Sequence, residues 1–338
     1  MDNCIGLDIS KSIINVHIPQ GSLDLEIENT HKAIKALYAK LSKIYKKEIA
    51  TIVFIYEPTG SYSHLLTQFC AHKEIRVFMI NPKNSHNYAK AIGQRGKSDK
   101  ADAKMLSRCI ELAKKSDIRV PVINQVEQEL KDLIGYYKFI TKQRVQTVNH
   151  LESIQIKDGS TFAKKELQKE IKRLMEKEKA IIQKIKELLQ EDDLLHSKFV
   201  NIKSIAGIGD IGAIALMHLF IKYPDANQRQ IISLAGLDPI ERTSGSSIKG
   251  KSRISKAGSK LYRGSLFMSA MVAIRYNDAI KAFHERLKKN GKHTTVAQVA
   301  VMKKLIVIAH SLYKNSCAYD KDFYTKQSGK DEKIALSA

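Results

Sequence analysis

Four acidic residues in the first third of the chain have a spacing that could serve metal-dependent chemistry. Asp8 and Glu57 each end a short apolar run. Asp99 and Asp102 are three residues apart, which places both on one face at the start of a predicted helix. Carboxylates at strand ends and at a helix start can meet at one edge of a sheet. Such oxygen ligands suit Mg²⁺ or Mn²⁺, which can stabilise the attacking and leaving oxygens of phosphoryl transfer.

Each of these acids also has a purely structural interpretation. Asp99 could cap the helix, and Asp102 could be a first-turn acid that the helix dipole favours. Glu57 could be an isolated charge at a strand end. The four acids together favour the metal site over these separate explanations.

A second candidate for chemistry is the basic stretch over residues 242–277, which contains no Asp or Glu. Ser244 lies near its start, and its glycines, Gly250 and Gly258 among them, allow close approach of a ligand to the backbone. Lys and Arg among Gly and Ser are typical of phosphate contacts. A serine hydroxyl here would need a base or metal to become a nucleophile. The alternative is a disordered phosphate-binding loop without chemistry. The basic residues are Arg242, Lys249, Lys251, Arg253, Lys256, Lys260, Arg263 and Arg275.

A glycine pair earlier in the chain is a further candidate for phosphate contact. Gly207 and Gly209 precede an apolar stretch over residues 213–220 that predicts a helix. A Gly-x-Gly turn that opens a helix can offer backbone N–H groups to a phosphate. The alternative is a simple tight turn between two helices.

The elements that would position these residues divide the chain into an α/β part followed by an all-α part. Apolar alternation predicts strands over residues 4–9, 13–18, 23–27, 51–56 and 75–80. Helical patterns fall between and after them, over residues 31–46, 62–72, 85–91 and 98–115. This order predicts a layered α/β domain with a mixed sheet.

The middle of the chain has a different periodicity. Apolar residues recur in steps of four and three over residues 130–151 and 167–188, with a turn at 157–159. Thr141, Arg144 and Glu178 are polar exceptions in these seams. The spacing predicts an antiparallel coiled-coil hairpin, or two helices packed on a globular core. From residue 199 the pattern is mainly helical, and residues 321–338 predict a loose tail.

Composition narrows the partners. The 57 Lys and Arg against 35 Asp and Glu give a formal charge of +22, which attracts polyanions. Nucleic acid is the first candidate, an anionic membrane surface the second, and a solvated basic face the third. The longest apolar runs fall short of the roughly 20 residues that cross a bilayer. Four widely spaced cysteines and a start without signal-peptide character favour the cytoplasm.

Several segments resemble the N-terminal domain of the DEDD transposases, insertion-sequence recombinases related to the Piv DNA invertase that include the bridge-RNA-guided recombinases. These segments are residues 6–11 (Gly-Leu-Asp-Ile-Ser-Lys), 57–62 (Glu-Pro-Thr-Gly-Ser-Tyr), 81–82 (Asn-Pro) and 97–103 (Lys-Ser-Asp-Lys-Ala-Asp-Ala). The family commonly has Thr where Ser98 stands. The resemblance implies a RuvC-like domain with an RNase H fold and a metal-binding tetrad formed by Asp8, Glu57, Asp99 and Asp102.

The C-terminal part is similar to the second domain of the same family. The matching segments are residues 234–239 (Leu-Ala-Gly-Leu-Asp-Pro), 243–245 (Thr-Ser-Gly) and 253–258 (Arg-Ile-Ser-Lys-Ala-Gly). By position Ser244 matches the catalytic serine, although Ser246 and Ser247 are close by. The implied organisation is a RuvC-like domain over residues 1–117, a helical hairpin over 118–198 and a C-terminal transposase domain over 199–320.

The resemblance implies an enzyme that cleaves and rejoins DNA through a phosphoserine intermediate, with Mg²⁺ or Mn²⁺ on the acidic tetrad. It also implies a homo-oligomer, at least a dimer and a tetramer on DNA, and a guide RNA encoded by the element. Three alternatives stay open. One is a RuvC-like nuclease or junction resolvase that uses water, another is a site-specific invertase, and the third is a non-enzymatic nucleic-acid-binding protein.

Overall fold

The computed structural model describes residues 2–94, 96, 98–244 and 248–321. The chain forms two compact units, Met1–Asn124 and Gln125–Ala338. Each unit has its own hydrophobic core residues. The tail predicted for residues 321–338 lies, from residue 322 on, outside the described part of the chain.

A mixed sheet of five strands forms the centre of the first unit. The strands lie in the order β3-β2-β1-β4-β5, with β2 antiparallel to β1 and β3, and with β4 parallel to β1 and β5. This confirms the predicted mixed α/β sheet, and each predicted strand ends within one residue of its observed bounds. Those bounds are β1 (Asn3–Ile9), β2 (Ile13–Ile18), β3 (Leu23–Glu28), β4 (Ile52–Tyr56) and β5 (Arg76–Met79).

Helices cover both faces of this sheet. Alternate side chains of a strand point to opposite faces, and the central strands are apolar on both. Ile5 and Leu7 enter a core that contains residues of the first two helices, whereas Val53 and Ile55 enter a second core with residues of the fourth. The helices are α1 (His31–Tyr45), α2 (His64–His72), α3 (Pro82–Ala91) and α4 (Asp99–Arg108).

Helix α4 is shorter than the sequence predicted. The apolar pattern indicated a helix over residues 98–115, but α4 ends at Arg108 and a 3₁₀ turn follows over Cys109–Leu112. The chain then pairs with the outer strand β5, where Val77 and Arg119 exchange backbone hydrogen bonds of 2.9 and 3.2 Å. The helical pattern therefore ends where the chain turns towards its pairing with β5, a tertiary contact that local propensity does not encode.

The second unit is mainly helical. One core joins residues of its two long helices, such as Leu130 and Leu188, to residues of its later helices, such as Leu216 and Leu305. The helices are α5 (Gln125–Ile156), α6 (Thr161–Gln190), α7 (Asp193–Lys203), α8 (Asp210–Lys222), α9 (Gln228–Leu234), α10 (Lys260–Tyr276), α11 (Asp278–Lys289) and α12 (Thr294–Asn315).

Helices α5 and α6 pack against each other, and two of the polar exceptions in their seams form an ion pair. Arg144 Nε donates to both carboxylate oxygens of Glu178 at 3.0 Å. The Glu178 side chain is only 12% exposed. The polar residue in the apolar seam of α5 therefore pairs with the polar residue in the seam of α6. This pairing favours one register of the hairpin. Supercoiling of the two helices stays a prediction.

The prediction of a mainly helical C-terminal part missed a two-stranded antiparallel sheet. Strands β6 (Pro239–Ser244) and β7 (Ile248–Ile254) form a hairpin between α9 and α10, with a register irregularity between Ile240 and Arg242. These strands carry glycine, serine and lysine in place of alternating apolar residues, so they give little strand signal.

Helix α12 is long and apolar enough to cross a membrane by length and composition alone. Val301, Leu305 and Ala309 of this helix are fully buried in the core of the second unit. Such burial is typical of the central helix of a globular unit, and it accounts for the apolar composition of α12.

Candidate active site

Asp8 and Glu57 are neighbours at the end of the two central parallel strands. Strands β1 and β4 pair so that Leu7 lies beside Tyr56, and the next residue of each strand is one of the two acids. Leu7 and Tyr56 both enter the core with α1 and α2. Because side chains alternate, Asp8 and Glu57 belong to the opposite face, which α4 covers. Both acids are half-buried.

Helix α4 crosses this face at a very short distance. A Cβ atom on Gly6 would lie 1.9 Å from the carbonyl oxygen of Ala103 and 2.5 Å from the amide nitrogen of Ser107. Only glycine lets a strand and a helix backbone approach so closely. This contact fixes the height of α4 above the sheet and therefore the position of its first turn, which carries Asp99 and Asp102.

The four carboxylates form one electrostatically coupled group. Burial, followed by the negative charges of Asp99, Asp102 and Glu57, raises the pKa of Asp8 from its ordinary value of 3.8 to about 6. Repulsion of this kind is expected where several carboxylates share one site. The structure thus places the other three acids near enough for their charges to act on Asp8.

Ser98, and not Asp99, caps helix α4. The Ser98 hydroxyl accepts a hydrogen bond from the Ala101 amide at 3.3 Å. Asp99 is the first residue of the helix and is exposed. The interpretation of Asp99 as a helix cap is therefore wrong, because that position is already filled.

Two neutral donors hold carboxylates of this group, and neither was predicted from the sequence. The Ser85 hydroxyl lies 2.5 Å from Glu57 Oε1, and Gln94 Nε2 lies 2.8 Å from Asp102 Oδ1. Within the described residues, none of the four acids forms an ion pair with Lys, Arg or His. In a chain with 57 Lys and Arg, the described residues thus supply no paired cation for these carboxylates.

The donor chemistry of this group fits a divalent cation. All four residues offer carboxylate oxygens, the ligands that hard cations such as Mg²⁺ prefer. Among the described side chains, no three acidic, histidine or cysteine residues form a ready-made ligand set. A bound cation would offset the repulsion between these carboxylates.

In the second unit, the segments that flank the β6–β7 hairpin dock onto each other. A Cβ atom on Gly258 would lie 1.8 Å from the Leu234 carbonyl oxygen. The Ser255 hydroxyl donates to Asp238 Oδ1 at 2.5 Å. Arg263 Nη1 donates to the Gly258 carbonyl at 2.6 Å. These contacts give the hairpin a fixed base, and sequence reasoning missed the Asp238–Ser255 pair.

Ser244 is the last residue of β6 and pairs with Ile248 across the hairpin. Gly245, Ser246 and Ser247 lie outside the described residues, and so do the side chains of residues 242–252. The structure therefore gives the backbone position of Ser244, beside the tip of the hairpin. Its role as a nucleophile stays a prediction.

The predicted phosphate-binding residues follow the hairpin into the first turns of α10. Arg263 is half-buried, and its Nη1 donates to the Gly258 carbonyl at the base of the hairpin. Part of its guanidinium is therefore engaged within the protein. Only the backbone is described for Arg242, Lys249 and Lys251. The exposed side chains are Arg253, Lys256 and Lys260.

The two glycines of the predicted phosphate turn have different surroundings. Gly207 has a φ of +108°, and a Cβ atom there would lie 2.6 Å from the Cβ of Ala273, so close helix packing explains this glycine. Gly209 precedes α8 and faces open space. Next to it, Asp210 pairs with Lys186 and Lys203 at 2.6 and 2.5 Å. Contact between this turn and nucleic acid stays a prediction.

Comparisons with known proteins match both units. A family model described as a transposase, of the DEDD type, matches residues 5–155, and one described as the transposase IS116/IS110/IS902 family matches residues 200–285. The chain is 28% identical over 278 residues to the pilin gene-inverting protein of Moraxella bovis, which covers 80% of this chain and 83% of that protein. It is similar to the same extent to the pilin gene-inverting protein of Moraxella lacunata.

The family matches, which together reach into both units, define the chain as a transposase, a class of DNA recombinase. The chain belongs to the IS110 family of DEDD transposases. It is therefore an enzyme that acts on DNA, and the non-enzymatic alternative does not hold. Dependence on a divalent metal is a property of this class of transposase domain, and it agrees with the oxygen-only donor set.

Proposed function

We propose that this transposase cuts and rejoins DNA strands for an insertion sequence, with Ser244 as the nucleophile. The observation that carries the proposal is the group of four coupled carboxylates with no cationic partner among the described residues. Such a group suits metal-assisted phosphoryl transfer. The family matches supply the substrate class, which is DNA.

Asp8, Glu57, Asp99 and Asp102 would hold Mg²⁺, or Mn²⁺ in its place. When bound, the ion supplies electrostatic stabilisation of the charge that develops on the phosphate oxygens. Glu57 and Asp102 each have one oxygen engaged by a neutral donor, which leaves the other oxygen for the ion.

In the proposed cleavage step, the Ser244 oxygen attacks the scissile phosphorus. A P–O(serine) bond forms, the bond to one deoxyribose oxygen breaks, and a general base takes up the serine proton. The departing deoxyribose oxygen leaves as a hydroxyl after it takes up a proton. Rejoining is the reverse reaction with a hydroxyl from another strand, so the ester bond energy is conserved and no nucleotide cofactor is consumed.

The proposal includes the organisation that the resemblance implies. The first domain is RuvC-like with an RNase H fold, which the five-stranded mixed sheet supports, and α5 and α6 form a coiled coil. We propose a cytoplasmic homo-oligomer, dimeric and tetrameric on DNA, with an element-encoded guide RNA. The charge of +22 supports a polyanionic partner of either kind.

A second candidate is site-specific DNA inversion. It is favoured by the similarity to the pilin gene-inverting proteins of the two Moraxella species. The strand chemistry would be the same, and the products differ because both recombination sites would lie on one DNA molecule in inverted orientation. A substrate with two such sites separates inversion from excision and insertion.

The proposal is tested with purified protein, Mg²⁺, the RNA of the element and end-labelled DNA that spans the element junction. We expect a covalent protein–DNA adduct on denaturing gels that is lost in Ser244→Ala and kept in Ser246→Ala and Ser247→Ala. Cleavage by Ser244→Ala without any adduct would show that water is the nucleophile, as in a RuvC-like junction resolvase. Loss of the adduct in Ser246→Ala or Ser247→Ala alone would reassign the nucleophile.

A further inference from the structure

We propose that Ser85 is a positioning residue of the acidic centre, where its hydroxyl fixes the orientation of the Glu57 carboxylate for a divalent cation. The proposal rests on the metal-binding role given above to the four acids. It adds a residue that lies outside the acidic motif and that neither the sequence pattern nor the family resemblance indicated.

The backbone holds Ser85 firmly. Asn81 caps helix α3 by accepting a hydrogen bond from the Lys83 amide at 2.9 Å, and Pro82 is the first helical residue. The Ser85 amide donates to the Asn81 carbonyl at 3.1 Å. Ser85 is fully buried, so its side chain has little freedom to turn away from Glu57.

The Ser85 hydroxyl has one proton and two acceptors within reach. Glu57 Oε1 lies at 2.5 Å and the Pro82 carbonyl oxygen at 2.9 Å. A charge-assisted O–H···O⁻ bond is shorter and stronger than a neutral one. The proton is therefore donated to Glu57, and the Pro82 carbonyl is the weaker, alternative acceptor.

Ser85 does not need Glu57 to satisfy its own hydroxyl, so the hydrogen bond matters mainly for the Glu57 carboxylate. A serine in a helix can satisfy its own hydroxyl by donating to a carbonyl of the preceding turn, and Pro82 offers that carbonyl. No other described residue donates a side-chain hydrogen bond to Glu57. Without Ser85, this carboxylate would lose the contact that selects its rotamer.

A neutral donor suits this purpose better than a cation. Lysine or arginine beside Glu57 would cancel the charge that attracts the metal, whereas serine orients one oxygen and leaves the charge in place. Partners behind the ligands orient them in this way in metal sites, and their loss typically lowers metal affinity about 10- to 100-fold. Gln94 has the same relation to Asp102, but it is more exposed, so its effect is smaller.

The test is calorimetric titration of the full chain with Mn²⁺, without DNA or RNA. We expect Ser85→Ala to bind Mn²⁺ about tenfold more weakly than wild type, and Ser85→Thr, which keeps the hydroxyl, to bind more tightly than Ser85→Ala. Ser107→Ala is the matched control. Ser107 is also buried in the first unit, and its hydroxyl bonds only to the Lys104 carbonyl, at 2.8 Å, among the described residues. This control should bind Mn²⁺ like wild type.

Equal Mn²⁺ affinity of Ser85→Ala and wild type would overturn the proposal, and so would equal weakening in Ser107→Ala. If Ser85→Ala does not fold, Ser85→Cys replaces it, because cysteine fills the same space but donates a weak hydrogen bond. Wild-type affinity of Ser85→Cys would then overturn the proposal. A wild-type protein that binds no Mn²⁺ would instead refute the metal site itself, and this proposal with it.

Discussion

Replacing Gly6 by alanine tests whether the close contact between β1 and α4 sets the geometry of the acidic centre. The new Cβ would lie 1.9 Å from the Ala103 carbonyl oxygen and 2.5 Å from the Ser107 amide nitrogen. A carbon–oxygen contact needs about 3.3 Å, so α4 must move by about 1.4 Å. Both obstructing atoms are backbone atoms, and no side-chain rotation relieves the clash. Overpacking of this kind costs about 1–3 kcal/mol.

The movement of α4 carries Asp99 and Asp102 away from Asp8. A misplacement of about 1 Å costs on the order of 100-fold in rate, so cleavage should fall by that factor. Thermal unfolding should show a lower Tm, by roughly 1–2 °C for each kcal/mol, because the entropy of unfolding grows with chain length. Gly135→Ala in α5 is the control, because Gly135 is exposed with nothing within 4 Å of a new Cβ. Unchanged Tm and cleavage in Gly6→Ala would refute the reasoning.

Three further predictions concern charged groups. Asp8→Asn should raise the Tm measured in EDTA by about 1–2 °C, since it removes a charge that burial, followed by repulsion from the other acids, disfavours, as the raised pKa of about 6 indicates. We take the combined cost of burial and repulsion as about 1 kcal/mol after allowance for solvent screening. Wild type in EDTA should also gain stability as the pH falls from 7 through 6, and an identical trend in Asp8→Asn would contradict this. In the α5–α6 seam, Glu178→Ala should lower the free energy of unfolding by about 1–2 kcal/mol. Arg144→Leu combined with Glu178→Leu should regain most of it in urea unfolding, and a double variant weaker than Glu178→Ala would contradict the pairing. Finally, the His218 side chain, 3.3 Å from Glu127, lowers the pKa of that carboxyl below its ordinary value of 4.5. The stability that this contact adds is present above pH 4.5 and is lost as the pH falls through the lowered pKa, so the Tm difference between wild type and Glu127→Gln should shrink from pH 6 to pH 3. A constant difference would show that the contact has no electrostatic part.

Much of the first unit could be predicted because its sheet is buried on both faces. Residues 4–9 and 51–56 are apolar runs of strand length, and acids at the ends of such runs stand out. The order of the strands brings Asp8 beside Glu57, which no local pattern specifies. Ser85 could not be found at all, since one serine in a helical stretch carries no periodic signal. Its relation to Glu57 depends on how α3 packs.

The β6–β7 hairpin could not be predicted, because residues typical of phosphate binding give little strand signal. Its strands are rich in lysine, serine and glycine, which indicated phosphate contact but concealed the strands. The sequence predicts that Gly258 lets a ligand approach the backbone. In the structure that space is filled by the Leu234 carbonyl. Interior glycines of this kind reveal a close contact but not the identity of the neighbour.

The lack of any described cationic partner for the four acids makes the proposed enzyme depend on the order of binding. A phosphodiester that reaches the carboxylates before a divalent ion meets charge of its own sign, and the approach is unfavourable. The basic residues proposed to contact phosphate would not need the ion to hold nucleic acid. Transient binding to non-target DNA would therefore leave the DNA backbone intact. Strand scission would require both the ion and the correct junction.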